Sequence, residues 1–222
     1  MKKMKHVRFV IFTLMIFLFL GCAKKHIASQ SLIPDPSVLS RSSTGALVWI
    51  KPAFDPSQYD KLMIDSIELA IPDKTIRDSG IPLAEYQSLV MHFEQEIRSA
   101  MAERYAVVDL PGPRIVRMRA AITDVEPSSP VLYSLTLLNP VGLALSYGSR
   151  AMNGQHTFVG GASIEMVFSD SMTGEVIAMI KDSKSGDKFD TAALSRLGQA
   201  RNILRDWAVL LRDQADLQRG FK

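Results

Sequence analysis

The chain has 222 residues, 47% of them hydrophobic, and a formal net charge of +3. Four of its 26 basic residues (Lys2, Lys3, Lys5 and Arg8) sit at the extreme N-terminus, so beyond residue 21 there remain 22 basic against 23 acidic residues. That balance lacks the basic stripe of a nucleic-acid binder, the lone cysteine at position 22 excludes an intrachain disulfide, and the remaining length suits one domain with its own core.

Residues 1–8 form a short basic region, and residues 9–20 (FVIFTLMIFLFL) are apolar apart from Thr13. Twelve residues match the apolar stretch of a secretory signal and fall short of the roughly 20 needed to span a bilayer. Phe19-Leu20-Gly21-Cys22 follows. It resembles the lipobox of bacterial lipoproteins, in which a small residue precedes an obligatory cysteine. The resemblance implies cleavage between Gly21 and Cys22, and lipid on Cys22 that anchors the chain in a membrane. Ala23 stands where an aspartate would favour the inner membrane, which points to the outer membrane with the domain facing the periplasm. Residues 23–45 are rich in Ser, with Pro34 and Pro36, and carry no sustained periodicity. Together with Cys22 they read as a flexible tether, residues 22–45, behind which residues 46–222 form the domain.

Residues 47–51 suggest a short strand and residues 61–71 a longer one. From Leu83 to Arg104, Tyr86, Leu89, Val90, Phe93, Ile97, Ala100 and Met101 recur at three- and four-residue spacing, the stripe of an amphipathic helix. Residues 106–110 read as a strand and Pro111-Gly112-Pro113 as a turn. In residues 115–125, Val116, Met118, Ala120 and Ile122 alternate with Arg117, Arg119 and Thr123. One face then packs on the helix, and the other meets solvent or a partner. Residues 157–168 alternate likewise, and the turn Ser169–Gly174 leads to a returning strand, 175–180, which completes a hairpin. Residues 191–217 close the chain as a helix whose stripe is Leu194, Leu197, Leu204, Trp207, Ala208 and Leu211. Strand pairs separated by helices give a single α+β domain, a mostly antiparallel sheet with helices on one face.

Four sets of residues carry a second resemblance: Val107-Val108-Asp109-Leu110-Pro111-Gly112-Pro113, Arg119-Ala120-Ala121-Ile122-Thr123, Val159-Gly160, and Asp170-Ser171-Met172-Thr173-Gly174-Glu175. With Trp207 they resemble domain-of-unknown-function family number 3313, a family of bacterial lipoproteins. These are turn and strand motifs, and the family implies no catalytic residue.

No residue set forms a catalytic signature. His92 and Glu96 lie four apart on one helix, but a metal site needs three or four ligands. Ser185-Gly186-Asp187-Lys188 matches S-x-x-K without its companion motifs. Gly161-Ala162-Ser163 lacks the second glycine of a nucleophile elbow. Asp182, Asp187 and Asp190 around Gly186 miss the calcium-loop pattern. No metal or cofactor is therefore expected. One stretch stands out: residues 127–149 hold no charged side chain. Pro130 and Pro140 argue against a membrane helix. The run is either buried core or an apolar association surface on which Leu132, Leu135, Leu138, Leu143 and Leu145 would meet a partner, a second copy or lipid. Two function classes follow. One is a non-enzymatic envelope lipoprotein that binds or scaffolds a protein partner; the other is a carrier of a small apolar ligand or lipid.

Overall fold

The computed structural model describes residues 31–128, 160–187 and 191–220. In chain order the elements are β1 (Ser40–Arg41), β2 (Leu47–Ile50), β3 (Lys61–Ile64), β4 (Glu68–Leu69), α1 (Asp73–Asp78), α2 (Leu83–Ala102), β5 (Ala106–Val108), β6 (Ile115–Glu126), β7 (Gly161–Asp170), β8 (Val176–Ser185) and α3 (Gly198–Gln218). The eight strands form one sheet in the order β1-β2-β8-β7-β6-β3-β5, with β4 paired to β6 beyond β3.

The alternating stretches make the centre of this sheet. β6 pairs antiparallel with β7 and β7 with β8, so the strongest period-2 patterns lie side by side. Met118, Ala120 and Ile122 of β6 meet Ile164, Met166 and Phe168 of β7 on one face, all buried. Helix α2 lays Tyr86, Leu89, Phe93 and Ile97 on that face, each at most 1% exposed. Burying one such side chain stabilises the fold by roughly 1.5–3 kcal/mol, so this stripe fixes the helix where propensity alone would not. The expected α+β architecture holds, mostly antiparallel with the long helices on one face.

The expected 61–71 strand is two short ones, β3 and β4, both parallel to β6, and β5 is parallel to β3. The chain returns in the same direction because α1 and α2 cross over between them, the usual cost of parallel pairing. On the opposite face Arg117 and Arg119 point outward, as alternation requires, and pair with Asp65 at 2.6 Å and Glu68 at 3.0 Å.

Two readings need correction. The tether does not extend to residue 45. Ile33 is 3% exposed, β1 pairs with β2, and residues 31–39 lie over the outer face of β7 and β8 against Val167, Met179 and Trp49. That outer face is thus partly a second small core rather than open to solvent. Leu194 does not belong to the last helix's stripe. A 3-10 turn spans Thr191–Leu194, α3 begins only at Gly198, and Leu194 is exposed because the tighter turn rotates it out of phase.

The turn chemistry follows the sequence. Gly174 has φ +72°, and the Asp170 carboxylate accepts from the amides of Met172 and Thr173 at 2.9 and 2.7 Å. Next to it, Ser171 Oγ donates to the Gly112 carbonyl at 2.8 Å and accepts from the Gly112 amide at 3.1 Å. One hydroxyl therefore joins the Pro111-Gly112-Pro113 turn to the β7–β8 hairpin. Ser171→Ala is expected to cost about 1 kcal/mol, read as a lower urea midpoint with an unchanged slope.

Candidate functional site

Helix α3 crosses the helical face over β7 and packs on α2. Its core side is set by Ala200, Ile203, Leu204, Trp207 and Ala208, all buried. The sheet continues past it to β8, β2 and β1, which leaves an apolar shelf along the helix's flank. Val48 and Ile50 of β2 with Ala178 and Ile180 of β8 make the floor; Trp207, Leu210 and Leu211 make the wall; the turn at residues 42–44 makes a lip. This lobe encloses about 350 Å³. A second lobe of about 160 Å³ continues from it between the C-terminal turns of α3 and the sheet's end, lined by Tyr59, Met101, Tyr105, Val116 and Phe168 among others. Phe54, Ala178, Leu211, Ala215 and Gln218 belong to both lobes, so the two form one groove. The lining is mostly apolar, with Ser42, Ser43, Thr44, Gln214 and Gln218 among its polar members.

Several polar groups at its edges are tied down, while the buried Asp60 Oδ1 has no hydrogen-bond partner among the described residues. At one end Trp207 Nε1 donates to Asp182 at 2.7 Å, and Lys184 Nζ stands 5.5 Å from the centre of the Trp207 ring. At the other, Tyr105 Oη donates to Asp216 at 2.7 Å, and burial, reinforced by that carboxylate, pushes its phenol up to about 12. Tyr59 Oη donates to Asp170, and burial followed by that bond raises its phenol as well. Both phenols are therefore held neutral, as fixed donors. Asp60 pairs with Arg114 at 3.0 Å. The hydrogen bond from Arg114 holds the Asp60 carboxyl below the usual range, with smaller help from the charges of Lys61 and Arg219.

The residues singled out in the sequence are distributed elsewhere. His92 Nε2 lies 3.2 Å from the Arg201 carbonyl, and its Nδ1 lies 3.7 Å from Glu96, so the pair joins α2 to α3. Ser163 Oγ donates to Ser183 on the neighbouring strand. Gln199 bonds both backbone groups of Asp187 and packs against Gly186, where a Cβ would collide with its side-chain amide. Asp182 accepts from Trp207 Nε1. Among the described residues no three His, Cys, Asp or Glu side chains converge as a metal site. Gly21 and Cys22, the association residues Leu132, Leu135, Leu138, Leu143 and Leu145, and Lys188 and Asp190 lie outside the described residues. The groove itself was not foreseen. Its one sequence signal is the breadth of the α3 stripe: Leu210, Leu211 and Ala215 add apolar surface beyond the arc that faces the core.

With this geometry in hand, comparison with known proteins gives a family and a relative. The model of a family described as "Protein of unknown function (DUF3313)" matches residues 29–211. The chain is 25% identical over 171 residues to "Uncharacterized lipoprotein YdcL" of Escherichia coli, an alignment covering 76% of this chain and 75% of the relative. Among solved structures, a PelC dodecamer from Paraburkholderia phytofirmans is similar over 78% of this chain and 94% of its own, at 12% identity and a TM-score of 0.39. A protein from Xanthomonas campestris is similar over 76% and 94%, at 12% identity and a TM-score of 0.36.

Proposed function

The chain belongs to the family DUF3313, and from that premise we propose that it is a non-enzymatic, membrane-anchored envelope lipoprotein that carries a small apolar ligand in the groove beside α3. The observation that carries the ligand reading is the groove: two connected lobes with a mostly apolar lining, on a flank where Ile50 remains 46% exposed. Its concavity together with that apolar lining is what supports a binding role. The anchor reading is supported by Gly21-Cys22 after a twelve-residue apolar run and by the lipoprotein YdcL among the relatives. Lipid on Cys22 would hold the domain at a membrane, since each buried methylene contributes about 0.8 kcal/mol. Ala23 favours the outer membrane with the domain in the periplasm. The groove favours the carrier over the partner scaffold, whose motive, residues 131–145, lies outside the described residues.

Ala178 lies on the floor shared by both lobes, and Ala178→Phe would fill the groove from below. Native mass spectrometry of the gently extracted full chain is expected to show a bound apolar molecule, or uptake of an added one such as a long-chain alcohol. The variant is expected to lose at least tenfold in occupancy, about 1.4 kcal/mol, with its melting temperature within a few degrees of the parent. Uptake that Ala178→Phe leaves unchanged, or a chain that takes up no apolar molecule at all, would overturn the carrier reading.

A further inference from the structure

We propose that the domain stands on its membrane by one end of the sheet, the end where β7 begins and β6 and β8 finish, and that Leu83 and Leu194 touch the lipid there. This rests on the anchor reading and adds to it the surface that meets the bilayer. Three observations carry it.

The first is the direction in which the chain leaves the domain toward Cys22. Ile33 packs with Val167 and Met179. Two residues earlier, Ser31 donates to Glu165, which also accepts from the Leu32 amide. Followed back toward its N-terminus, the chain thus passes from Val167 to Glu165, heading for Gly161 at the start of β7. From Glu165 that end is roughly 13 Å away along the strand, whereas Asp170 lies about 17 Å in the other direction. The second is length. Ser31 comes nine residues after Cys22, a span of at most about 32 Å. Lipid on Cys22 therefore keeps a membrane close to the domain, on the side toward which the chain leaves.

The third is the surface found there. Glu126 pairs with Gly161, and Gly161 with Ser185. The Ser128 amide donates to the Arg196 carbonyl, and Arg196 Nη1 donates to the Gly80 carbonyl at 3.3 Å. Those two bonds bring the segment before α3 and the segment before α2 to this same end of the sheet. Leu194 in the first is 55% exposed, and Leu83, which opens α2, is 51% exposed. Pro82 and Ala84 on either side of Leu83 are exposed as well, and so is Arg196. Apolar side chains beside a guanidinium are what the boundary of a bilayer takes: the first enter the acyl region while the second stays level with the phosphates. Leu110 and Met172 are also exposed, but they flank the turns joined by Ser171 at the opposite end, away from the exit of the chain.

The test uses the lipidated full chain in vesicles of phosphatidylcholine and phosphatidylethanolamine, part of the lipid carrying bromine on its acyl chains. A thioether at Cys22, the one cysteine of the chain, leaves no thiol, so a cysteine placed elsewhere is the single site for an environment-sensitive dye. In Leu83→Cys and Leu194→Cys the dye is expected to shift to the blue. Brominated lipid should quench it at least about threefold more strongly than in Met172→Cys, at the opposite end, or Met91→Cys, on the exposed side of α2. All four positions lie on the surface, where substitution usually leaves the fold intact. Equal quenching at the four positions, or stronger quenching at 172 or 91, would overturn the orientation and leave the anchor standing. A chain that fails to float with the vesicles, and whose Cys22 takes up the dye, would remove the anchor and the orientation with it.

Discussion

Replacing Glu165 with Ala is expected to destabilise the domain by about 3 kcal/mol and to detach residues 31–39 from the sheet. Glu165 is 2% exposed and sits on the outer face of β7, at the centre of the sheet. Its carboxylate accepts from Ser31 Oγ at 2.7 Å, from the Leu32 amide at 2.9 Å and from Lys181 Nζ at 3.1 Å. Three donors on one buried acid are enough to offset its desolvation. Burial works to raise its pKa, but the bonds from Ser31 and Lys181, the Lys181 charge and the Leu32 amide outweigh it, and the group lies below its ordinary value of 4.5. Removing the acid leaves the Leu32 amide and the Lys181 ammonium without their acceptor, and the segment that covers Val167 and Met179 loses its fastening. Hydrogen exchange should show the effect most directly, as lost protection in residues 31–39 with little change in α2.

The same group sets a pH dependence whose sign follows from that shift. A carboxyl with a depressed folded pKa contributes stability that is fully present above its unfolded value and is lost as pH falls through the folded one. Wild type should therefore exceed Glu165→Gln in stability at neutral pH. The gap should hold down to about pH 4.5 and close below it. A gap that stayed constant down to strongly acid conditions would mean that the charge contributes nothing and only the shape of the side chain matters.

Glu165 also shows why part of this fold was legible and part was not. The stripe of α2 and the alternation of β6 and β7 are repeated many times over, so each pattern names its own buried face: all of Tyr86, Leu89, Phe93, Ile97, Ala100 and Met101 are buried where the spacing puts them. Residues 31–45 carry no such repetition. Their fastening is a single acid 134 residues away from Ser31, at a position that alternation assigns to solvent. A trace of it existed, since Trp49, Val167 and Met179 all stand at outward positions of strands that come together, which is one large residue too many per strand for a wet face. Seeing it needs the strand order β2-β8-β7, and local pattern does not supply strand order. The groove was hidden for the same reason: it exists because the sheet extends past α3, a relation between elements that no single element encodes. The turn motifs, by contrast, were visible as residues and acquire their meaning from contacts, Ser171 on Gly112 above all.

Gly160→Ala is the second large effect expected, a loss of about 3 kcal/mol, against about 1 kcal/mol for Gly174→Ala. Both glycines have positive φ, +91° and +72°, so an alanine at either pays for a left-handed backbone. At Gly174 nothing lies within 4 Å of the position a Cβ would take, and the cost stops there. At Gly160 the Cβ would fall 2.5 Å from Ser128 Oγ and 3.1 Å from both the Glu126 carbonyl and the Ser128 amide. Rotating the Ser128 hydroxyl away relieves the first contact only. The other two are backbone, and that backbone is committed: the Ser128 amide donates to the Arg196 carbonyl at 2.8 Å, Glu126 pairs with Gly161, and the Gly160 carbonyl accepts from the Gly186 amide at 2.8 Å. The end of β6, the start of β7, the loop after β8 and the approach to α3 all meet at this glycine, so the strain cannot be absorbed by moving one of them alone. Chemical denaturation of the two variants side by side isolates the crowding from the dihedral cost. Equal losses would show that the junction yields and that Gly160 is there for its backbone angle only.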